Sequence, residues 1–292
     1  MPAASTLYLG MDKQNFVSEI RDVRLGEIDP AGFRRTMDRY AVTIIRNARP
    51  VSDAEHVEFS RKLGPLMPMR MLLTVGKSKS RFALPEIIDI GNIDAEGRIL
   101  PEDDRRRAYN KGNLLWHTDA SYDARRGVYS LLSCHSVPPG GAPTEFADMR
   151  AAYEALPAAM KERIGPLTAE HSVWYSRSLG GMTATEEEQA TRPPSRHRLV
   201  HRHPGSGRQV LYLASHASHI VGWPVEEGRA LIRELIEFAT QPRFVFRHEW
   251  RVGDLVVWDN LQTMHRGTPF DDTKYPRDMR RTTVIEETAD VA

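Results

Sequence analysis

Short alternating runs of apolar and polar residues predict a chain built mainly from β-strands. From Glu86 onward these runs are rich in β-branched and aromatic residues and are separated by glycine, proline and small polar residues, a pattern typical of strands joined by turns. The predicted strands are Ile87–Ile90, Leu114–His117, Val128–Cys134, Thr144–Phe146, Leu167–Val173, Leu199–His203, Val210–Ala214, Phe244–Trp250, Leu255–Trp258 and Arg281–Ile285. Many short strands with few helices are typical of a sandwich or jelly roll. We therefore expect a mainly β fold with flanking helices.

Helix signals precede this series of strands. Asp29 followed by Pro30 is typical of an N-cap and a first-turn proline, and predicts a helix to about Tyr40. The apolar, β-branched run Ala41–Ile45 then predicts a strand. An N-terminal α/β segment of this kind is expected to pack against the larger β unit.

Three further helices are predicted from capping residues and periodicity. Ser52 with Glu55 forms a capping box, and Gly64 is expected to end that helix. The other two follow Asp148 and Pro224, where apolar residues recur with helical spacing.

The polar segment Ser176–Arg196 is predicted to be a long loop. It contains a Thr/Glu-rich run and two adjacent prolines, and a loop of this length in a compact domain is often functional. We expect it to act as a lid over a site. The 292 residues suit a single domain over the whole chain, with a core from about 15 to 286.

Composition excludes several classes of function. The 40 basic residues nearly balance the 39 acidic ones, so no overall field attracts nucleic acid or an anionic membrane. Cys134 is the only cysteine, which rules out an intrachain disulfide and a cysteine-based zinc site. No secretion signal and no apolar stretch of membrane-spanning length is seen. We expect a cytoplasmic homo-oligomer that acts on a small molecule.

The sharpest local signal for chemistry is His117-Thr118-Asp119. Residues two apart on a strand point to the same face, so His117 and Asp119 are able to reach one metal ion. His265 follows a predicted strand much later in the chain. Two histidines and one carboxylate form a facial triad that leaves positions on Fe(II) open for a co-substrate and O₂. Alone, a His-x-Asp pair is common by chance.

Further histidines compete for the role of metal ligand. His201 and His203 share a predicted strand face, and His216 and His219 are three residues apart, so a zinc hydrolase is an alternative. Neither pair has an acidic residue at ligand spacing, and no His-Glu-x-x-His motif occurs. Cys134 is expected to be a core residue, because an adjacent histidine on a strand faces the other way.

Two arginines near the C-terminus are the candidate anion ligands. Arg277 and Arg281 are four residues apart, so they share a face if the segment is extended. A dicarboxylate that chelates iron needs a guanidinium for its distal carboxylate, and Thr144 is able to add a hydroxyl to it. A solvated basic run that includes Arg280 is the simpler interpretation of these residues taken alone.

Together these residues resemble the TauD/TfdA group of Fe(II)/2-oxoglutarate dioxygenases over roughly residues 17–286. The matching segments are 113–119 (NLLWHTD), 137–141 (VPPGG), 144–156 (TEFADMRAAYEAL), 257–260 (VWDN), 264–266 (MHR) and 277–283 (RDMRRTT). Within the group, 204–208 (PGSGR) and 216–219 (HASH) most resemble the 2,4-dichlorophenoxyacetate dioxygenase branch.

The resemblance implies a double-stranded β-helix, a jelly-roll variant, and a set of residue roles. His117, Asp119 and His265 would bind iron, and Thr144 and Arg277 would bind the 2-oxoglutarate tail. Substrate binding is implied for three further residues: Arg281 at the substrate anion, with His216 and Asn113 lining the pocket. O₂ would oxidise 2-oxoglutarate to succinate and CO₂ while the substrate is hydroxylated, with ascorbate supporting activity. For an aryloxyalkanoate, the products would be a phenol and glyoxylate.

Two departures from the family pattern affect the sites for 2-oxoglutarate and for the substrate. Ala142-Pro143 replaces the usual Gly-Asp before Thr144. This replacement is expected to shift the position of the Thr144 side chain slightly. The run Leu66–Leu73 is unusually apolar where the family builds part of its substrate wall, and this favours an aromatic substrate. A taurine or alkylsulfonate dioxygenase is the main competing hypothesis, because a guanidinium accepts either anion. A metal-dependent hydrolase and a non-catalytic jelly-roll binding protein are two further hypotheses that the residues leave open.

Overall fold

The structure is a computed structural model that describes residues 9–10, 16–67 and 80–289. Its strands are β1 (Leu9–Gly10), β2 (Val17–Arg21), β3 (Val42–Arg46), β4 (Ile88–Asp89), β5 (Gly127–Ser136), β6 (Thr144–Asp148), β7 (Thr168–His171), β8 (Ser195–Arg198), β9 (Val200–Arg202), β10 (Gln209–Leu211), β11 (Ala217–Ile220), β12 (Val245–His248), β13 (Asp254–Asp259), β14 (Thr263–Gly267) and β15 (Asp278–Ile285).

The helices lie between and around these strands. They are α1 (Pro30–Tyr40), α2 (Asp53–Leu63), α3 (Arg105–Asn110), α4 (Met149–Ala155), α5 (Ala158–Ile164), α6 (Val173–Leu179), α7 (Glu186–Thr191) and α8 (Val225–Ala239). Short 3-10 helices span Leu25–Glu27, Lys111–Leu114 and Pro242–Phe244. No helix in the described ranges is long and apolar enough to cross a membrane.

Two sheets face each other, as expected for a jelly roll with flanking helices. A seven-stranded sheet has the order β1-β2-β3-β13-β5-β15-β4, and a three-stranded sheet has the order β12-β6-β14. Phe146 on β6 packs against Trp258 on β13, with ring centroids 5.5 Å apart. Two smaller sheets, β11-β7-β8 and β10-β9, extend the β unit.

The side chains of β13 alternate between the two faces of the seven-stranded sheet, and this explains why a layer packs on each face. Val256 and Trp258 belong to the cluster between the two sheets, whereas Leu255 and Val257 belong to the cluster under the N-terminal helices. Successive side chains of a strand point to opposite faces, and both faces of this strand are covered. The uninterrupted apolar run Leu255–Trp258 of this central strand therefore reflects burial on both sides.

The predicted N-terminal helices are confirmed. The Asp29 side chain accepts hydrogen bonds from the first backbone N–H groups of α1, and Ser52 and Glu55 form the reciprocal capping box of α2. Gly64 has φ of 151°, and a Cβ there would lie 2.7 Å from Val284. Glycine at this position thus lets α2 end directly on β15.

Two predictions of local structure are wrong. Lys111–Leu114 forms a 3-10 helix closed by a hydrogen bond from Leu115 N to Gly112 O, so the strand predicted over Leu114–His117 is reduced to one bridge at His117. A 3-10 turn forms here instead of a strand because the chain bends, and this bend brings His117 beside His265 on β14.

Helices occupy ten of the 21 residues of 176–196, and Ser195 and Arg196 begin β8, so the prediction of one long loop is also wrong. Helix α6 runs to Leu179, with Ser176 and Arg177 buried, and α7 begins with a capping box of Thr185 and Glu188. The Thr/Glu-rich run is therefore the start of a helix, where acidic side chains favour the exposed N–H groups. Gly180, just after α6, lines the cavity described below.

Candidate active site

The triad is assembled by a single β-bridge between segments far apart in sequence. His117 and His265 exchange backbone hydrogen bonds of 2.9 and 2.8 Å. Asp119, two residues beyond His117, brings its carboxylate 3.8 Å from His117 Nε2 and 3.6 Å from His265 Nε2. The potential ligand atoms of the three residues all lie within 4.8 Å of one another. The prediction that these residues come together is thus met by the geometry.

Both histidines are held neutral, the form that binds metal. His117 Nδ1 lies 2.7 Å from the carbonyl oxygen of Leu115, so the proton on Nδ1 leaves the Nε2 lone pair facing the cluster. Burial lowers the pKa of His117 to about 4 and the pKa of His265 well below its usual value. The ring of His265 packs against Phe146 and Trp258, which fixes its plane.

Asp119 is ionised despite its burial. Burial raises the pKa of a carboxyl group, but Arg281 and a hydrogen bond from Ser130 outweigh this effect and lower the pKa of Asp119 to about 2. The Asn260 side chain accepts from Asp119 N and donates to Ser130 Oγ, at 3.1 and 3.0 Å. A carboxylate and two neutral imidazoles therefore face one point, which fits a divalent metal ion with open positions.

A cavity of about 430 Å³ lies beside the triad, a volume typical of small-molecule sites. Its wall includes most of the site residues predicted from sequence: Asn113, His117, Thr144, His265, Arg277 and Arg281. Leu114, Leu132, Trp258 and Phe270 supply apolar wall. The metal, co-substrate and substrate candidates thus share one space.

Arg277 lies at the cavity with its charge uncompensated. Its Nη1 donates to the carbonyl oxygen of Ile90 at 3.0 Å, and its buried Nε has no partner among the described residues. No carboxylate among residues 16–67 and 80–289 forms an ion pair with it, and burial lowers the pKa of its guanidinium to about 10. A desolvated cation of this kind is stabilised when an anion binds.

Asn92 holds the segment that carries Arg277. Its side-chain amide donates to the carbonyl oxygens of Asp272 and Tyr275, and its Oδ1 accepts from Arg277 N at 2.7 Å. The local sequence pattern around Asn92 does not predict this role, because its partner Arg277 lies 185 residues away.

Thr144 opens β6 and stays on the cavity wall despite Ala142-Pro143. Ala142 adopts φ of 39°, and the carbonyl oxygen of Pro143 accepts from the N–H and hydroxyl of Thr268 at 3.0 and 2.9 Å. These bonds fix the start of β6, whose first residue pairs with β12 on one side and β14 on the other.

Of the three predicted substrate residues, Arg281 and Asn113 line the cavity and His216 does not. His216 is buried behind His117, with ring centroids 5.9 Å apart, and its Nδ1 lies 2.9 Å from Ser121 Oγ. The expectation that His216 forms part of the pocket wall is corrected accordingly. The turn at Ser215, whose N–H binds the carbonyl oxygen of Trp116, places His216 behind His117.

Two of the other histidines considered as metal ligands are hydrogen-bonded to other parts of the fold. His203 pairs with Asp259 at 3.0 Å, and His201 bonds to Arg126 and to the Leu261 carbonyl oxygen. In the part of the chain that the structure describes, the triad is the only group of three possible metal ligands. Cys134 is buried in the core.

Most of the apolar run Leu66–Leu73 lies outside the described residues. Leu66 forms a bridge with Val284, and Met67 packs with Ala120 and Ile285. The predicted apolar substrate wall at 68–73 stays a prediction.

Comparison with known proteins gives a consistent set of relatives. The family profile described as taurine catabolism dioxygenase TauD, TfdA family matches residues 13–283. The alpha-ketoglutarate-dependent 2,4-dichlorophenoxyacetate dioxygenase of Cupriavidus pinatubonensis is 41% identical over 93% of this chain and 95% of its own length. An enzyme of the same description from a Burkholderia species is 42% identical over 92% of this chain and 91% of its own.

A solved structure has the same architecture. The crystal structure of AAD-2 in complex with Mn(II) and N-oxalylglycine superposes with a TM-score of 0.91 at 38% identity, covering 98% of this chain and 100% of that one.

Proposed function

Because the chain belongs to the TauD/TfdA dioxygenase family, we propose that it is an Fe(II)-dependent enzyme that hydroxylates an aryloxyalkanoate such as 2,4-dichlorophenoxyacetate. It is an oxidoreductase that uses 2-oxoglutarate and a metal ion. His117, Asp119 and His265 would hold Fe(II), which when bound supplies the activation of O₂. Two neutral imidazoles and an ionised carboxylate support this assignment.

Arg277 and Thr144 would bind the distal carboxylate of 2-oxoglutarate. Arg277 is an uncompensated guanidinium at the cavity, and an ionic hydrogen bond is about twice as strong as a neutral one. Thr144 lines the same cavity and offers a hydroxyl. A dicarboxylate would lie in this cavity with one end toward the triad and the other at the arginine, which would position it for oxidation.

Arg281 would hold the carboxylate of the organic acid, with Asn113 beside it. Both line the cavity next to the triad, so the carbon adjacent to the carboxylate would face the metal. Hydroxylation of the methylene of an aryloxyacetate gives a hemiacetal that breaks at the C–O bond. The products are a phenol and glyoxylate, with succinate and CO₂ from the co-substrate.

The observation that carries the proposal is the cavity that the two triad histidines share with Thr144 and the two arginines. A metal-dependent hydrolase would use the triad with a bound water but has no need of Arg277 and Thr144 at the same cavity. A non-catalytic binding protein has no need of the triad. A taurine-type enzyme differs only in the substrate, so it is the candidate function that needs a direct test.

A paired assay tests the proposal. The protein is supplied with Fe(II), O₂, ascorbate and 2-oxoglutarate, and succinate is measured with 2,4-dichlorophenoxyacetate or with taurine. We expect phenol and succinate in equal amounts from the aryloxy acid, and none of either from Asp119→Ala. Succinate release with taurine alone would reject the aryloxyalkanoate, whereas no substrate-dependent succinate from any carboxylate or sulfonate would reject the activity.

We also propose a domain extent, an oligomeric state and a cellular compartment for this enzyme. Residues from about 15 to 286 would act as one dioxygenase domain, with Gly180 of the segment 176–196 on the cavity wall. We propose a homo-oligomer in the cytoplasm, where a lone buried thiol such as Cys134 stays reduced. Ascorbate would keep the iron in its ferrous form.

A further inference from the structure

A hydrogen bond from Trp250 determines how the Thr144 hydroxyl is oriented. The indole Nε1 lies 2.9 Å from Thr144 Oγ1, and both side chains are buried. An indole N–H only donates, so the threonine oxygen must be the acceptor. The hydroxyl proton of Thr144 is thereby directed away from the indole. Within residues 16–67 and 80–289 that proton has no acceptor.

The indole itself is held firmly in place. The ring of His248 stands perpendicular to it, with centroids 4.6 Å apart. His248 Nε2 bonds to Asp254 at 3.1 Å, and the same carboxylate binds Arg46 and the Arg251 backbone N–H. His248 is also the strand partner of Thr144 in the β12–β6 register. The donor and its acceptor are thus attached to the same pair of strands.

We propose that Trp250 is a positioning residue that makes Thr144 a hydrogen-bond donor to the distal carboxylate of 2-oxoglutarate. The inference rests on the proposed function, in which Thr144 and Arg277 share that carboxylate. A free hydroxyl rotates and is able to present either its proton or a lone pair. With the indole bound to one lone pair, the proton is presented to the cavity, and a carboxylate is the acceptor that gains most from it.

Trp250 supplies both aromatic volume and a hydrogen-bond donor, and two variants distinguish these contributions. Trp250→Phe keeps an aromatic ring against His248 but removes the N–H. Trp174→Phe is a matched control, because Trp174 is also buried and its indole N–H has no partner in the described part of the chain. Loss of aromatic volume alone would affect both variants equally.

The test measures 2-oxoglutarate binding to Mn(II)-loaded protein without O₂, by titration calorimetry. Thr144→Val is expected to weaken binding roughly tenfold, the effect of one hydrogen bond of about 1.4 kcal/mol. Trp250→Phe is expected to weaken it roughly threefold, because the freed hydroxyl spreads over three staggered positions and still donates from one of them. Because the indole acts only through Thr144, adding Trp250→Phe to Thr144→Val should cause no further loss. Trp174→Phe should bind like the wild type, and Thr144→Ser, which keeps the hydroxyl, should lose less affinity than Thr144→Val.

Each other outcome is decisive. Normal binding by Trp250→Phe alongside weak binding by Thr144→Val would overturn the proposal and leave the co-substrate site intact. Normal binding by Thr144→Val would overturn both the proposal and the assignment of Thr144. Equal losses in Trp250→Phe and Trp174→Phe, or fully additive losses in the double variant, would reduce Trp250 to a packing residue.

A second measurement needs no Trp250 variant, in case that variant does not fold. In Zn(II)-loaded protein with ¹⁵N-labelled tryptophan, the indole N–H of Trp250 is identified as the resonance that Thr144→Val shifts. It should shift on addition of 2-oxoglutarate, while the resonance of Trp174 stays in place. An unchanged Trp250 resonance at saturating 2-oxoglutarate would refute the proposal.

Discussion

Arg281 Nη1 lies 2.5 Å from Asp119 Oδ1, across 162 residues of sequence. This contact links the carboxylate of the triad proposed to bind iron to the arginine proposed to bind substrate. It keeps Asp119 ionised in a buried place, since an adjacent cation favours the charged form of a carboxyl group. The second carboxylate oxygen, Oδ2, accepts from Ser130 at 2.7 Å.

Each triad residue is expected to be essential for metal binding. His117→Ala, Asp119→Ala and His265→Ala should each abolish turnover and leave the protein without bound Fe(II) or Mn(II), because two ligands cannot replace a facial triad. Metal content after dialysis measures this directly. His219→Ala is the control, since His219 bonds to Ser218 on β11 and is outside the triad. Near-normal activity of a triad variant at saturating iron would contradict the assignment.

Arg277→Ala should raise the apparent constant for 2-oxoglutarate by at least two orders of magnitude. Removal of one partner of a buried ion pair costs about 3–5 kcal/mol, and about 1.4 kcal/mol is a tenfold change. The dependence of succinate formation on 2-oxoglutarate measures it. Arg280→Ala is the matched control, because that guanidinium pairs with Asp53 and Asp278. A large effect of Arg280→Ala with none from Arg277→Ala would reverse the two roles.

Arg281→Ala should weaken binding of the organic acid strongly and leave the constant for 2-oxoglutarate nearly unchanged. Arg281→Lys should restore only part of the loss, because an ammonium does not reproduce the two-point grip of a guanidinium. Metal content should be retained, since Asp119 becomes freer to bind a cation once its arginine is removed. Steady-state constants for both substrates, with metal analysis, test the prediction, and loss of 2-oxoglutarate affinity alone would refute it.

The free energy of unfolding should fall below neutral pH, with a contribution from His56. His56 is fully buried, where burial lowers its pKa to about 4, and its Nε2 lies 3.1 Å from Thr282 Oγ1. The unfolded chain binds a proton near pH 6.5 while the folded chain does not, so this contribution is present above 6.5 and is lost toward pH 4. Between pH 7 and 5, one such group changes stability by about 2 kcal/mol.

Urea unfolding of the wild type and His56→Gln at the two pH values isolates that group. The variant should be less stable at pH 7 and lose less stability on acidification. Parallel losses in the two proteins would show that His56 does not carry the effect.

The local pattern of the sequence determined the elements whose causes are local. Asp29 and the Ser52 capping box predicted two helices, because a cap satisfies N–H groups within its own first turn. The two-residue spacing of His117 and Asp119 predicted one shared face, and the many short strands predicted a sandwich or jelly roll. The family resemblance then implied His265 as the third ligand. These inferences needed no knowledge of what lies across the fold.

Tertiary structure decided the placements that depend on distant partners. The family resemblance puts His216 in the pocket wall, yet the turn at Ser215 places it behind His117. The run Leu114–His117 has strand character, but a 3-10 helix ends at Leu114 and only a single bridge forms, at His117. Trp250 and Thr144 are 106 residues apart, and no local period records that bond. The period of apolar residues along the chain determines which face of a strand or helix a side chain occupies. The partner of that side chain is determined only when the two sheets pack against each other.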